Sequence, residues 1–537
     1  MATDLSQCQV LNGVLVDFLC LILLALDFGV RKAVLESINL QYPTIRAPTL
    51  VQSALLSALL HQNSFVCASP SGTGKSFATA AHLISQPRYK APLPSVSSLV
   101  LVPSTELGFQ YIEVISSLLR SGNAPLKTQE IVQFVYRSSM GPEDEKLQLD
   151  LLSQCPAPNI LIATPNRLLD MLADPEQTKY LNLGYLKTVV IDEADDLIRP
   201  DLALAPTPKS KSQKKKKHKR PVLVAMDYIL KLRKAALATY SLKVPLQVIL
   251  LTSAITSGDD LYHFASNSSW IKAGRTNTYG VAGYSGLSVS TPFVDTYTVT
   301  FDPTTKTLQD MSMNDETQES VRYKPITSDI TRNDLIGLKM LLKEDGMKKA
   351  VVIIPADASH LTIRSTLRDI GVSAVSLNYF GGTKIIDSDQ VHGYGLIDTQ
   401  TMFDKSTDSK TVSPDIILAS ANQLAGLHFP GLSRIYVVGG SNAVSRLSEY
   451  STLLLRTRVS TPRDIEMEAF NPDSIRAAVP AENARVVFVT VNDEAYDDRR
   501  KLLQKFIDQH TILSKRMFSP REDSIADDLA TESNSLL

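Results

Sequence analysis

Short runs of β-branched and apolar residues recur along this chain in two series. Phe65–Ala68, Leu99–Val102, Ile160–Ala163, Val189–Ile191 and Val248–Leu251 make the first, and Val351–Ile354, Ile416–Ala419, Ile435–Val438 and Val486–Val489 make the second. Apolar runs this short and this continuous suit strands covered on both faces, as in a parallel sheet. Helix-like stretches lie between them, and strand–helix alternation predicts an α/β doubly wound architecture. The stretch from about Ala273 to Asn333 separates the series and is rich in Gly, Ser, Thr and Asp. The expectation is therefore two parallel-sheet lobes joined by a linker. Only Phe293–Phe301 reads as a strand within that linker, as the leading strand of the second lobe. Asp498–His510, with Leu502, Leu503, Phe506 and Ile507 at helical spacing, closes the second lobe.

These boundaries give a first lobe over 1–275, a linker region over 276–333, a second lobe over 334–513 and a polar, acidic tail over 514–537 that is expected to be disordered. A length of 537 residues suits more than one domain, and a hydrophobic content of 44% is enough for real cores. The formal net charge of -1 excludes a polycation that coats nucleic acid indiscriminately, so any such site must be a local groove. Cys8, Cys20, Cys67 and Cys155 are scattered, without the spacing of a disulfide framework or a zinc site. Leu19–Leu26 is strongly apolar but bracketed by Asp17 and Asp27, too short to span a bilayer. It lacks the basic flank of a signal peptide, and the reading is a buried helix with no membrane partner. Within the first lobe, Pro206–Arg220 (PTPKSKSQKKKKHKR) is a block of like charges. A solvated loop, a phosphate grip and a nuclear import signal all remain open for it.

Directly after the first strand stands Ser69-Pro70-Ser71-Gly72-Thr73-Gly74-Lys75-Ser76. A phosphate needs many donors at close range with no side chain in the way. Glycines let the backbone wrap with its N–H groups inward, and the following helix N-terminus adds a favourable dipole. In such a loop Lys75 reaches the β- and γ-phosphates and Ser76 ligates Mg²⁺. Asp192-Glu193-Ala194-Asp195 follows the strand Val189–Ile191. Ligand groups gather at the carboxyl ends of strands in an open α/β sheet, which puts Asp192 beside Lys75. Asp192 would then hold Mg²⁺ and Glu193 would orient and deprotonate the attacking water, a nucleotide hydrolysis site.

These residues resemble the DEAD-box family of RNA-dependent ATPases, whose name is spelled by residues 192–195. Pro48-Thr49-Leu50-Val51-Gln52 is similar to the family's Q motif, which implies that Gln52 reads adenine and that the nucleotide is ATP. Pro103-Ser104-Thr105-Glu106-Leu107 resembles motif Ia, with Thr105 in place of an arginine, and Thr164-Pro165-Asn166-Arg167 resembles motif Ib. The resemblance implies RNA contacts at Pro103, Thr105, Thr164, Pro165 and Arg167. Ser253-Ala254-Ile255 falls where the family has Ser-Ala-Thr, and the family's Ser bonds the last acid of the box, here Asp195, coupling hydrolysis to strand separation. Both lobes are implied to be RecA-like. RNA is expected to be read through backbone and 2′-hydroxyl with little sequence preference.

The second lobe departs from the pattern. Ser420–His428 aligns with motif V but lacks its aspartates and its arginine. Thr452–Arg458 is the best match to motif VI, with Arg456 on a family arginine and Arg458 displaced from another. An arginine finger is worth about 10³–10⁵ in rate, roughly 4–7 kcal/mol. Arg456 or Arg458 fills that role, or both are ordinary surface or RNA-facing arginines. Lys75, Asp192, Glu193, Asp195 and Arg456 form the expected catalytic set, with ATP and Mg²⁺ as cofactors and RNA as partner. Two functions stay open: an ATP-dependent RNA helicase, and a pseudo-helicase acting as an ATP-gated RNA-binding or assembly scaffold. The basic insert suits a nuclear or nucleolar protein, and relatives with divergent second lobes also point to mitochondria.

Overall fold

The computed structural model describes residues 29–42, 45, 47–69, 73–87, 91–119, 128–138, 142–198, 219–240, 245–253, 258–271, 278–280, 295–311, 330–346, 350–377, 382–385, 392–395, 416–424, 432, 434–440, 443–444, 450, 453–454, 485–492, 497–509, 512, 514–515 and 517. Leu19–Leu26 and most of the basic insert lie outside this set. Among the described residues no helix is long and apolar enough to cross a membrane.

Every expected apolar run is a strand. The first sheet uses β1 (Phe65–Ala68), β2 (Ser98–Leu101), β3 (Val132–Val135), β4 (Ile160–Ala163), β5 (Thr188–Ile191), β6 (Gln247–Thr252) and β7 (Thr278–Gly280) in the order β3-β4-β2-β5-β6-β1-β7. All its pairings are parallel. β3 escapes the apolar pattern because Gln133 interrupts it. That side chain is buried, and its amide donates to the carbonyls of Gln129 (3.0 Å) and Cys155 (2.7 Å).

Alternate residues of these strands feed two helix layers, as a doubly wound sheet requires. Phe65, Cys67, Val100, Ile162, Val190 and Ile249 pack with α1 (Lys32–Gln41), α2 (Leu50–Leu60), α3 (Lys75–Ser85) and α4 (Thr105–Leu119). Val66, Leu99, Leu161, Val189, Ile191 and Leu250 belong to the opposite face. There they meet α6 (Pro165–Ala173), α7 (Ala194–Ile198), α8 (Pro221–Thr239) and α9 (Gly258–Asn267); α5 (Pro142–Gln154) lies beyond β3. Trp270 is part of that core. β6 runs between β5 and β1, and its first residue is fixed by its own side chain. The Gln247 amide reaches the Asn63 carbonyl at 3.0 Å, and its Oε1 accepts from Thr188 at 3.3 Å.

The second sheet contains β8 (Asp295–Asp302), β10 (Ala350–Ile353), β11 (Ala374–Ser376), β14 (Ile416–Ala419), β15 (Arg434–Val438), β16 (Arg485–Val491) and β17 (Ser514–Lys515), ordered β11-β14-β10-β15-β16-β8-β17 and parallel throughout. β9 (Thr307–Asp310) adds an antiparallel edge on β8, while β12 (Gly382–Ile385) and β13 (His392–Gly395) pair only with each other. The stretch read as linker thus supplies two strands of the second lobe. Of the stretch read as tail, Ser514, Lys515 and Met517 are described and the remainder lies outside the described residues. β17 caps the exposed edge of β8, Lys515 pairs with Asp295 at 2.7 Å, and Asp310 accepts from the Met517 amide at 2.6 Å. Helices α10 (Arg332–Glu344) and α11 (His360–Asp369) cover one face and α12 (Asp497–Gln509) the other.

Candidate active site

Helix α2 starts with a capping box. The Thr49 hydroxyl accepts from the Gln52 amide (3.1 Å), and the Gln52 side chain accepts from the Thr49 amide (3.0 Å). The same two residues reach the phosphate loop. Thr49 Oγ1 donates to the Thr73 carbonyl at 3.1 Å, and Gln52 Nε2 donates to the Gly74 carbonyl at 3.3 Å. Gly74 sits at φ +85°, and a Cβ there would lie 2.0 Å from Gln52 Nε2. Only glycine allows this contact. Ser69 and Thr73 brace the loop with a 2.9 Å hydroxyl pair, and Lys75 donates to the Ser69 carbonyl at 2.6 Å. Pro70, Ser71 and Gly72 lie outside the described residues.

The acids converge on this loop from β5. Asp192 Oδ2 accepts from Ser76 Oγ and from Tyr111 OH, each at 2.7 Å, and Oδ1 accepts from the Glu193 amide at 2.9 Å. Glu193 takes φ +48°, a left-handed conformation that costs a non-glycine residue energy and is typical of functional turns. Burial, reinforced by the charge of Glu193, raises the Asp192 carboxyl above its ordinary range and lifts Asp195 to about 7. Burial and the Asp192 charge likewise raise the Tyr111 phenol, so it remains a donor.

The hydroxyls at the end of β6 divide these acids differently from the family expectation. Thr252 Oγ1 donates to Asp195 Oδ1 (2.6 Å), and Ser253 Oγ donates to Glu193 Oε2 (2.7 Å). Ser253 therefore bonds the acid expected to orient water, and its neighbour takes the last acid of the box. Strand register explains this, because Thr252 lies opposite Ala68 on β1, at the end of the ladder, and Ser253 lies just beyond. Ala254 falls outside the described residues.

Of the expected RNA residues, Pro103 and Thr105 precede and open α4, where Ser104 Oγ accepts from the Leu107 amide at 3.2 Å. Thr164 and Pro165 occupy the N-cap and first position of α6. Arg167 is buried and paired with Glu145 of α5 at 3.0 Å. In the second lobe Gln423 accepts from the Ser420 amide (2.7 Å) and donates to Glu106 Oε1 (2.9 Å), joining the motif V turn to α4. Glu106 is fully buried, which pushes its carboxyl up to about 7. Arg456 lies outside the described residues.

Sequence reasoning did not single out Thr49, Tyr111, Thr252 or the Glu106–Gln423 pair. Thr49-x-x-Gln52 is a legible capping box. Tyr111 sits four residues after Leu107, on the apolar stripe of α4, where spacing marks it only as core.

The loop suits a nucleotide phosphate, with a glycine-dependent wrap, a buried lysine and a helix N-terminus. Ser76 and Asp192 are hard oxygen donors, the kind Mg²⁺ takes, and they lie side by side. Among the described residues no group of three or more His, Cys, Asp or Glu is arranged to hold a metal alone.

Residues 49–204 match the family described as DEAD/DEAH box helicase. The human "Probable ATP-dependent RNA helicase DDX28" is 32% identical over 177 residues, covering 32% of this chain and 30% of the relative. "ATP-dependent RNA helicase DBP8" of Candida albicans is 31% identical over 172 residues, covering 32% and 36%. The match thus spans about a third of each relative. Among solved structures, "DEAD-box helicase Mss116 bound to ssRNA and UDP-BeF" superposes with TM-score 0.53 at 14% identity over 92% of this chain and 79% of that one. "S. cerevisiae Dbp5 bound to RNA and ADP BeF3" gives 0.50 at 14% over 94% and 98%. Both lobes therefore share the two-lobed RecA-like fold.

Proposed function

We propose that this chain, whose residues 49–204 match the DEAD/DEAH box helicase family, is an RNA-dependent ATPase that binds and remodels RNA. The observation that carries the proposal is the Ser76–Asp192 contact of 2.7 Å, which sets a metal-binding hydroxyl and carboxylate side by side within the phosphate loop.

Gln52 selects adenine, while Thr73, Gly74 and Lys75, with Ser69 to Gly72, cradle the phosphates. Lys75 leaves the Ser69 carbonyl to meet them. Mg²⁺ held by Ser76 and Asp192 supplies charge neutralisation on the phosphate oxygens when bound. Glu193, fixed by Ser253, orients the attacking water and takes its proton. Asp195, bonded to Thr252, holds the end of β6 against the box. Pro103, Thr105, Thr164 and Pro165 contact single-stranded RNA at the carboxyl ends of β2 and β4, and Arg167 supports them from below through Glu145. Arg456 or Arg458, from the best match to motif VI, is the candidate to complete the site from the second lobe; both lie outside the described residues.

One observation favours a second reading. In the turn aligned with motif V, Ala421, Ala425 and His428 stand where the family has its aspartates and arginine, and Gln423 of the same turn is tied to Glu106. A protein that binds ATP and RNA without turnover, as a clamp, is the corresponding alternative. The ATPase rate of the full chain with and without single-stranded RNA separates the two, with Glu193→Gln as control. RNA stimulation abolished by Glu193→Gln supports the ATPase. Binding of both ligands without turnover selects the clamp.

A further inference from the structure

Asp192 is held from two directions. Ser76 comes from the phosphate loop, and Tyr111 comes from α4, a helix outside that loop. Both hydroxyls donate to the same oxygen, Oδ2, and the Glu193 amide holds Oδ1. Tyr111 is 1% exposed and Asp192 is equally buried, so water does not substitute for either partner. An aromatic residue that served packing alone would need no hydroxyl here; the 2.7 Å bond to a carboxylate is a specific, charge-assisted contact.

The two donors differ in what ligand binding asks of them. In the ATPase reading, on which this inference rests, Ser76 Oγ must turn its lone pairs to the metal. Its bond to Asp192 is then tied to the metal's own position. Tyr111 has no such second task. We propose that Tyr111 is a positioning residue for Mg²⁺-nucleotide: its hydroxyl fixes the rotation of the Asp192 carboxylate before the metal arrives. With its rotation fixed in this way, the Asp192 carboxylate would hold Mg²⁺ without first reorienting. Groups that orient a metal-holding carboxylate typically change metal affinity by about 10- to 100-fold when removed.

The placement of Tyr111 supports this role. Phe109 stacks edge-on against Phe134 and Tyr136, with centroids 5.3 and 5.2 Å apart. Gly108 lies so close to Phe134 that a Cβ there would fall 2.1 Å from the ring. Helix α4 is thus seated firmly on the sheet, and the phenol it carries has little freedom to follow the carboxylate.

The test is a Mg²⁺ titration of the affinity of the full-length protein for a fluorescent ATP analogue, for wild type, Tyr111→Phe and Tyr111→Met. Both variants lack the hydroxyl, and a native melting profile without nucleotide qualifies each one. The expected result is a rise of roughly 10-fold in half-effective Mg²⁺ in both, with affinity in EDTA unchanged. An unchanged Mg²⁺ response overturns the proposal. So does an equal loss of affinity with and without Mg²⁺, which would make Tyr111 a packing residue. If the wild type shows no Mg²⁺-dependent binding, the ATPase reading itself fails and takes the proposal with it.

Discussion

Gln423 of the second lobe donates its amide to Glu106 of the first, with 2.9 Å between Nε2 and Oε1. The acceptor is buried, so its partner cannot be replaced by bulk water. Gln423→Ala is expected to lower stability by about 1–3 kcal/mol in urea denaturation, the cost of a buried polar group left short of a partner. A double-mutant cycle with Glu106→Gln should show non-additivity, since both changes touch one bond.

Glu106 also predicts a pH dependence. Burial raises its carboxyl from 4.5 to about 7 in the folded protein. Between those values the folded state holds more protons than the unfolded one, so this group's contribution falls as pH rises. Stability from this source is fully present below 4.5 and is lost as pH passes about 7. Glu106→Gln should flatten the difference between melting at pH 5 and pH 8 (roughly these values bracket the window). An identical slope in wild type and variant would remove Glu106 from the account.

The split between Thr252 and Ser253 separates two phenotypes. Ser253→Ala frees the Glu193 carboxylate and should reduce RNA-stimulated ATP turnover by about 10-fold or more while sparing ATP affinity. Thr252→Ala strips a donor from Asp195, whose carboxyl burial already lifts to about 7. Its main effect should be a stability loss of about 1–3 kcal/mol. Turnover and denaturation measured on both variants would show whether the effects divide this way.

Gly74→Ala tests the link between adenine recognition and the phosphate loop. A methyl group there collides with Gln52 Nε2 and must also adopt φ +85°. The expected outcome is a folded protein with little ATP affinity, read by nucleotide titration. Thr49→Ala removes the cap and the bond to the Thr73 carbonyl, and should cost about 1 kcal/mol and weaken binding mildly.

What the sequence makes legible here is what depends on residue type at a strand end. The phosphate loop after Ala68 and the acids after Ile191 announce themselves, because few other uses require glycine, lysine and paired carboxylates at those points. Relations that depend on three-dimensional register are hidden. Nothing in the order Thr252-Ser253 tells which hydroxyl meets which acid. Tyr111 looks like any apolar-stripe aromatic until Asp192 is placed beside it. Gln423 and Glu106 are 317 residues apart, and only the packing of the lobes introduces them. β3 is disguised by Gln133, a polar residue whose partners are backbone carbonyls that no local pattern foretells.

Gln247 gives the placement of β6 a further meaning. Its side chain clamps the amino end of that strand to the turn after α2 and to β5, on the edge of the sheet away from the chemistry. Strand geometry carries this alignment forward to Thr252, five residues on, and to Ser253 beyond it, and a slip of one residue would put Ser253 in the place of Thr252 and Ala254 in the place of Ser253. The clamp therefore acts as a frame-keeper.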